Sequence, residues 1–269
     1  SATSADISYL LDTVNRVLRT PLTTDDIIGV YAGLRPLLAG ESDDTAQLSR
    51  EHAVVSPAPG LTMVAGGKYT TYRVMAADAV DAAVAGMEQA AAPSCTERVP
   101  LLGADGYPAL WNARERLARG SGLPVDRVEH LLRRYGTLVE EVLELVAARP
   151  ELGEPLPGAP EYLTAEAVYA ASHEGALHLE DVLTRRTRIS IETADRGLAA
   201  APRVAEVVAP VLGWNSEARD REIELYRARV AAELESQRQP DDQAADAARL
   251  DAPDARPVAR AGRGAAAPA

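Results

Sequence analysis

The stretch LTMVAGGKYTTYRVMAADAV, residues 61–80, decides how the first part of the chain folds. Its first residues, Leu61–Ala65, are mostly apolar and are predicted to form a strand, which Gly66 and Gly67 break. From Thr70 to Met87 apolar residues recur at helical spacing, which predicts a helix. The stretch is therefore predicted to be a strand, a two-glycine turn and a helix.

The residues before this stretch predict further short elements. These are an amphipathic helix over Asp6–Arg19, a cap of a short helical turn at Thr23, a buried strand over Ile27–Leu34 and another strand over His52–Ser56. The strand Ile27–Leu34 should end at Pro36, because proline has no N–H to offer a sheet. Residues 1–88 are thus predicted to form an α/β segment.

After a linker over residues 89–107 the pattern becomes helical. Helices are predicted over Ala109–Arg119, Val125–Tyr135, Leu138–Ala148, Ala165–Ser172, Leu179–Thr184, Arg203–Leu212 and Ser216–Ser236. With Arg188–Ile191 as the one candidate strand, residues 108–238 are predicted to form a separate all-α C-terminal domain. Residues 239–269 carry too little apolar surface to order themselves and are predicted to be a flexible tail.

Composition limits the classes of protein that fit. The chain has 269 residues, 46% hydrophobic and 25% charged, which is typical of a globular protein. No apolar run approaches the roughly 18–20 residues of a membrane span. The net charge of −12 opposes nucleic-acid binding. Cys95 is the single cysteine, which suits a reducing cytoplasm, and the absence of an initiating Met leads us to expect part of a longer protein.

The first candidate site lies at the predicted junction between strand and helix, in the run Gly66-Gly67-Lys68-Tyr69-Thr70-Thr71-Tyr72-Arg73. Two glycines allow close approach of a ligand to the backbone, and a helix start offers free N–H groups with a partial positive charge. With the charge of Lys68, the junction suits an anion or the N1–C2=O edge of a reduced flavin. An ordinary turn, with Thr70 as helix cap and Lys68 in solvent, stays the alternative.

Two arginines make a second candidate site. Arg35 follows the predicted strand Ile27–Leu34, and Arg50 precedes the next predicted strand. Guanidinium groups bind phosphate or carboxylate in a bidentate manner, although an ordinary surface ion pair is the usual role of an arginine. Adjacent strands would bring Arg35, Arg50 and Lys68 together in an otherwise acidic protein, which favours a small anionic substrate.

Several ordered blocks of sequence carry a family resemblance. They are YLLDTVNRVL from Tyr9, DDIIGVYAGLRPLL from Asp25, SREHAV from Ser49, GGKYTTYRVMAADAVDAA from Gly66 and LHLEDVLTRRTRISIE from Leu177. Together, over about residues 5–240, the chain resembles the C-terminal half of the FAD-dependent, quinone-linked glycerol-3-phosphate dehydrogenases of actinobacterial type. The resemblance implies the last portion of an FAD-binding and substrate domain, followed by the all-α domain.

The resemblance also implies roles for individual residues. Arg35 would face the substrate near its reacting carbon, Arg50 would bind the phosphate, and Lys68 would lie beside flavin and substrate hydroxyl. Arg35 and Lys68 are thus the implied catalytic residues. The implied flavin contacts are Gly66, Gly67, Lys68, Tyr69 and Thr70. The implied reaction is oxidation of sn-glycerol 3-phosphate to dihydroxyacetone phosphate, with electrons passed through FAD to a quinone.

The chain departs from the family pattern in one respect. No G-x-G-x-x-G motif accompanies a first strand and helix, although that motif holds the FAD pyrophosphate. We therefore expect a missing N-terminal FAD-binding half as a partner and little activity from this chain alone. The resemblance also allows peripheral contact with the inner face of the membrane and a homodimer. A related flavin oxidase for another small hydroxy or amino acid, and a non-catalytic helical module, stay as alternatives.

Other signals are weaker. His173 and His178 lie five residues apart, about 140° around a helix, so no shared metal is expected. His52 adjoins Arg50 and is a candidate supporting residue. Three arginines, Arg185, Arg186 and Arg188, are predicted to pair with Glu180, Asp181 and Glu192. Docking of these arginines onto the missing half or an anionic lipid is the alternative.

Overall fold

The computed structural model describes residues 2–33, 36, 38, 51–87 and 91–255. The chain divides into two compact units. The helical unit comprises Ser1–Ala32 and Gly106–Ala269, and the hairpin unit comprises Gly33–Asp105. The domain boundaries inferred from the sequence, an oxidoreductase segment over 1–88 and a helical domain over 108–238, stay predictions.

The helical unit begins with helix α1, Ser4–Asn15. Thr3 caps it, because its hydroxyl accepts from Asp6 N at 3.2 Å while Asp6 Oδ2 accepts from Thr3 N at 2.9 Å. The bond from Thr3 N, followed by one that the Thr3 hydroxyl donates to Asp6 Oδ2 at 2.9 Å, lowers the pKa of the Asp6 carboxyl. A 3₁₀ turn at Thr24–Asp26 follows, with Thr23 at its cap. The predicted helix and the predicted cap are both confirmed, although α1 ends earlier than the sequence pattern.

The predicted strand Ile27–Leu34 is wrong for its described residues, 27–33, which form no strand. A strand needs a neighbour that pairs its N–H and C=O groups. The strands of the described residues form two separate hairpins, and none of these strands pairs with residues 27–33. Instead, Gly29 within this segment closely approaches the backbone of Ile191.

The hairpin unit contains strand β1, His52–Ala58, strand β2, Leu61–Gly66, and helix α2, Tyr72–Val84. The strands are antiparallel with Val54 opposite Val64, and Gly60, at φ +77°, turns the chain between them. A 3₁₀ turn at Tyr69–Thr71 leads into α2. The predicted sequence of strand, two-glycine turn and helix is thus confirmed.

Most of the remaining chain of the helical unit is helical. Its helices are α3 Tyr107–Asn112, α4 Arg114–Ser121, α5 Val125–Tyr135, α6 Val139–Ala148, α7 Thr164–Ser172, α8 Ile189–Glu192, α9 Ala201–Leu212, α10 Ser216–Ser236 and α11 Asp242–Leu250. A π-helical turn covers Asp181–Arg186. The core lies among these helices, with Leu131, Leu132, Leu179 and Leu183 fully buried. No helix in the described ranges is long and apolar enough to cross a membrane.

The fold class, an α/β segment followed by an all-α domain, is confirmed, with three local corrections. A small hairpin of β3, Pro155–Leu156, and β4, Ala159–Leu163, interrupts the helices and turns at Gly158, φ +72°. The candidate strand Arg188–Ile191 is wrong, because most of it lies in the short helix α8.

The third correction concerns the predicted flexible tail, part of which is the helix α11. Asp241 caps this helix by accepting from Ala244 N at 2.9 Å. Ala245 is fully buried, and α11 packs against α10. The tail is rich in small side chains, which led to the prediction that it could not form a core. The same small side chains let α11 pack closely against α10.

Candidate functional site

The turn at Gly66 and Gly67 has a conformation that side chains rarely adopt. Both residues have positive φ, +76° and +79°. A Cβ on Gly66 would lie 2.5 Å from the carbonyl oxygen of Glu51, and one on Gly67 would lie 2.5 Å from Met75 Sδ. Glycine is therefore favoured at both positions by conformation, and at Gly66 also by space, because Glu51 O is a backbone atom.

Lys68 follows this turn in an extended conformation, with an exposed side chain. The next residues are held by two bonds to its carbonyl oxygen, from Thr71 N and from Thr71 Oγ1, each 3.0 Å long. Tyr69 is 90% exposed, so the turn presents an open surface. The cap of α2 is Thr71 rather than Thr70, which lies within the 3₁₀ turn.

Residues close in sequence to Arg35 and Arg50, the other two predicted cations, contact Gly66 and Gly67. Arg35 and Arg50 themselves lie outside the described residues. Glu51, which follows Arg50, accepts a hydrogen bond from Gly67 N at 3.1 Å. Leu38, three residues beyond Arg35, places its Cγ 3.0 Å from where a Cβ of Gly66 would be. The fold thus brings the chain near each predicted cation to one turn.

His52, the candidate supporting residue, has a partner on α2. Its Nε2 lies 2.7 Å from Asp78 Oδ2. The side chain of His52 is about one-fifth exposed, and that of Asp78 about half, so this pair links β1 to α2 at the edge of the unit. The contact holds β1, which follows Arg50, against α2, which follows Lys68.

Arg73, on the first turn of α2, binds the segment that follows the helix. Its guanidinium donates to the carbonyl oxygen of Thr96 and, at 2.8 Å, to that of Val99. A cavity of about 380 Å³ lies beside it, lined by Arg73, Val74, Ala77, Ser94, Thr96 and Glu97. The sequence predicted no role for this arginine within the candidate run, because its acceptors are backbone groups 23 and 26 residues away.

Glu166, on α7, is a further residue that the sequence did not reveal. Its side chain is fully buried. It accepts from Leu163 N at 2.9 Å and from Tyr135 OH at 3.1 Å, and it lies 3.1 Å from His130 Nε2 and 3.2 Å from Arg134 Nε. Burial, followed by the charge of Glu166, raises the pKa of Tyr135. The arrangement is a satisfied buried carboxylate that joins α5 to α7.

The remaining predicted polar residues form contacts within the helical unit. His173 stacks on Tyr169 at 4.6 Å, and His178 Nδ1 lies 2.9 Å from Glu222 Oε1. Among the described residues no group of His, Cys, Asp or Glu has the arrangement of a metal site. The predicted ion pairs are confirmed for Arg185, which lies 2.7 Å from Glu180 and 3.1 Å from Asp181, and for Arg188, which lies 3.0 Å from Glu192.

Comparison with known proteins gives a consistent set of relatives. Residues 94–219 match the C-terminal domain of alpha-glycerophosphate oxidase. The glycerol-3-phosphate dehydrogenase of Mycobacterium leprae is 62% identical over 256 residues, which are 95% of this chain and 44% of that protein. Glycerol-3-phosphate dehydrogenase 2 of Mycobacterium tuberculosis shows the same identity and coverage.

A solved structure is similar over most of the chain. It is the glycerol-3-phosphate dehydrogenase of Bacillus halodurans complexed with FAD, with a TM-score of 0.66 and 26% identity. The similarity covers 85% of this chain and 45% of that protein. The chain therefore spans less than half the length of the relatives that it matches.

Proposed function

Because the chain belongs to the FAD-dependent glycerol-3-phosphate dehydrogenase family, to whose C-terminal part it corresponds, we propose that it forms the substrate-binding half of such an enzyme. The complete enzyme oxidises sn-glycerol 3-phosphate to dihydroxyacetone phosphate and passes the electrons to a quinone. This chain supplies side chains and backbone groups around substrate and flavin, and the rest of the protein supplies the motif that holds the FAD pyrophosphate.

The convergence at Gly66 and Gly67 carries this proposal. The chain next to Arg50 is hydrogen-bonded to Gly67, and Leu38 packs on Gly66. Lys68 follows directly, so three segments that each contain a predicted cation meet at one turn. Three cations on these segments of a protein of net charge −12 would favour a small dianion as ligand.

The chemistry of each cation suits one part of the substrate. Arg50 binds the phosphate with its planar donor fork, and Arg35 binds near C2. Lys68 and the N–H groups of Tyr69 and Thr70, at the start of the 3₁₀ turn, stabilise negative charge that develops beside them. The exposed residues Tyr69 and Thr70, which follow the partly buried Gly67, leave room for the edge of a flavin ring. FAD, when bound, supplies the acceptor for the hydride that leaves C2.

Exposed apolar side chains support a partner for each unit. On α1, Tyr9 is 68% exposed and Leu10 64%, and α1 buries no residue. On α2, Val80, a member of the predicted apolar stripe, is 58% exposed. Apolar side chains exposed on a helix that buries no residue are typical of an interface. We propose that the N-terminal FAD-binding half covers it; peripheral membrane contact and a homodimer stay secondary proposals.

The proposal is tested in a joined protein, in which the N-terminal part of the Mycobacterium leprae relative precedes this chain. Glycerol 3-phosphate with FAD should reduce a dye, and Arg50→Ala should raise the KM about a hundredfold through the lost phosphate contact. Arg116→Ala, an exposed arginine on α4, is the matched control. A joined protein that binds FAD but never reduces it with this substrate would contradict the proposal.

Oxygen is the second candidate acceptor. The domain matched by residues 94–219 is that of an alpha-glycerophosphate oxidase. An oxidase forms one hydrogen peroxide for each substrate oxidised in air, whereas a quinone-linked dehydrogenase reduces a quinone analogue without oxygen. Peroxide and quinol yields measured on the same joined protein therefore separate the two acceptors.

A further inference from the structure

The segment Ile27–Val30 lies against the short helix α8 through a close backbone contact. A Cβ on Gly29 would lie 2.1 Å from the carbonyl oxygen of Ile191 and 2.6 Å from its carbonyl carbon. Those are backbone atoms of the short helix α8 and cannot rotate away. Only glycine fits here, and for a reason of space, since Gly29 is not among the positive-φ glycines.

Arg196 contacts the same segment from the loop before α9. Its Nη1 lies 3.5 Å from Val30 O, and its Nη2 lies 3.3 Å from Gln237 Oε1. The residue is 7% exposed and has φ +58°, which among the described residues occurs at no other non-glycine position. Its own carbonyl oxygen accepts from Tyr226 OH at 2.6 Å. A buried side chain held in a rare backbone conformation by a hydrogen bond is well defined in position.

A second attachment lies at the other end of the N-terminal segment. Ser4 N and Ser4 Oγ both donate to Gln239 O at 3.0 Å, and Thr3 is 4% exposed. Gln239 lies two residues after Gln237, the partner of Arg196. The N-terminal segment is therefore attached at both ends to residues 191–239, while α1 between the two attachments buries no residue.

We propose that Arg196, together with the Gly29 contact, positions the segment Ile27–Val30, so that loosening this segment weakens the affinity for the substrate. This inference rests on the proposed function of the block that begins at Gly33, three residues after Val30. Arg196 touches neither substrate nor flavin in this role. It acts by limiting the motion of residues 27–30, from which the chain runs on to that block, and small displacements of binding groups weaken binding strongly.

The test compares variants of the joined protein that separate side chain from backbone. Arg196→Gly removes the guanidinium but accepts the positive φ, Arg196→Lys keeps a cation, and Gly29→Ala pushes on Ile191. Gly120→Ala on α4 is the matched control, because nothing lies within 4 Å of the added Cβ. Hydrogen exchange of residues 24–33 and the KM for glycerol 3-phosphate are measured for each.

We expect Arg196→Gly and Gly29→Ala to speed exchange of residues 24–33 and to raise the KM about tenfold, with kcat changed less than twofold. Arg196→Lys should restore part of the KM, and Gly120→Ala should change neither quantity. Faster exchange with an unchanged KM would overturn the positioning role and leave a purely structural contact. Unchanged exchange would overturn the attachment itself.

Failure of the proposed function gives a different result. If the unmodified joined protein does not oxidise glycerol 3-phosphate, the substrate assignment has failed. Exchange of residues 24–33 in Arg196→Gly then still decides whether Arg196 holds the segment. Should Gly29→Ala fail to fold, Arg196→Gly carries the test alone, because it adds no atoms to the interior.

Discussion

Gly67 donates its backbone N–H to the carbonyl oxygen of Glu51 at 3.1 Å. This bond lies at the end of the β1–β2 hairpin, where His52 pairs with Gly66 in the strand register. It ties the chain that follows Arg50 to the turn that precedes Lys68. How close Glu51, next to Arg50, lies to the residues before Lys68 thus depends on a turn whose conformation favours glycine.

Gly66→Ala should destabilise the hairpin unit. The added Cβ would lie 2.5 Å from Glu51 O, and the residue must keep φ +76°. Left-handed conformation costs a non-glycine residue about 1–2 kcal/mol, and the clash adds to that cost. Local hydrogen exchange of β1 and β2 measures the loss. Gly86→Ala, where nothing lies within 4 Å of the added Cβ, is the control, and equal exchange in the two variants would contradict the expectation.

Glu166→Gln should destabilise the helical unit by about 3–5 kcal/mol, because removal of one member of a buried ionic cluster leaves the others uncompensated. The carboxylate is fully buried and lies 3.2 Å from Arg134 and 3.1 Å from His130. Urea unfolding followed by circular dichroism gives the free energy. Glu144→Gln, an exposed position on α6, is the matched control and should change it little. If Glu166→Gln lowered the free energy of unfolding no more than Glu144→Gln does, the ionic contacts of Glu166 would not stabilise the unit as the distances indicate.

The helices were predictable because their signal is local. Val125–Tyr135 and Ser216–Ser236 have the same bounds in sequence and structure, since apolar spacing within one turn of helix reports which face is buried. Ile27–Leu34 misled the prediction, because an apolar, β-branched run becomes a strand only beside a partner. The hairpin Pro155–Leu163 is too short for an alternating pattern, although Pro157-Gly158 signals its turn.

The site was predictable in part for the same reason. Gly66-Gly67 at a junction of strand and helix shows its backbone requirement in the sequence itself. Glu166 shows nothing comparable, because its burial depends on His130, Arg134 and Tyr135, which lie more than thirty residues earlier. Arg196 likewise has an ordinary sequence context, and only its φ and its contacts with Val30 and Gln237 distinguish it.

Arg73→Ala should release the segment that follows α2. The guanidinium donates to the carbonyl oxygens of Thr96 and Val99. Without it, these two carbonyl groups would be hydrogen-bonded to water and the segment would be less restrained. We expect faster proteolytic cleavage within residues 94–99, measured by mass spectrometry of a limited digest. Arg98→Ala, an exposed arginine in the same segment, controls for the loss of a cleavable or charged side chain. Cleavage at the same rate in both variants would show that Arg73 does not hold the segment.

Glu174→Gln should stabilise the protein at neutral pH and flatten its pH dependence. Burial raises the pKa of Glu174 above its ordinary value of 4.5, against the opposing effect of Arg186 and Arg134, and its Oε2 is buried with no hydrogen-bond partner among the described residues. The folded state therefore binds the proton more tightly than the unfolded state does. Stability should fall as pH rises from 4.5 through the raised pKa, because there the unfolded chain has lost a proton that the folded chain still holds.

The amide of Glu174→Gln cannot ionise, so the variant lacks this fall and should gain most above that window. Thermal unfolding at a series of pH values from about 4 to 8 measures the difference between the variant and the parent protein. Glu217→Gln, an exposed glutamate in the first turn of α10, is the control and should leave the shape of the profile unchanged. A Glu174→Gln profile parallel to that of the parent would mean that this carboxyl ionises alike in the folded and unfolded states, and that its burial does not penalise the charge.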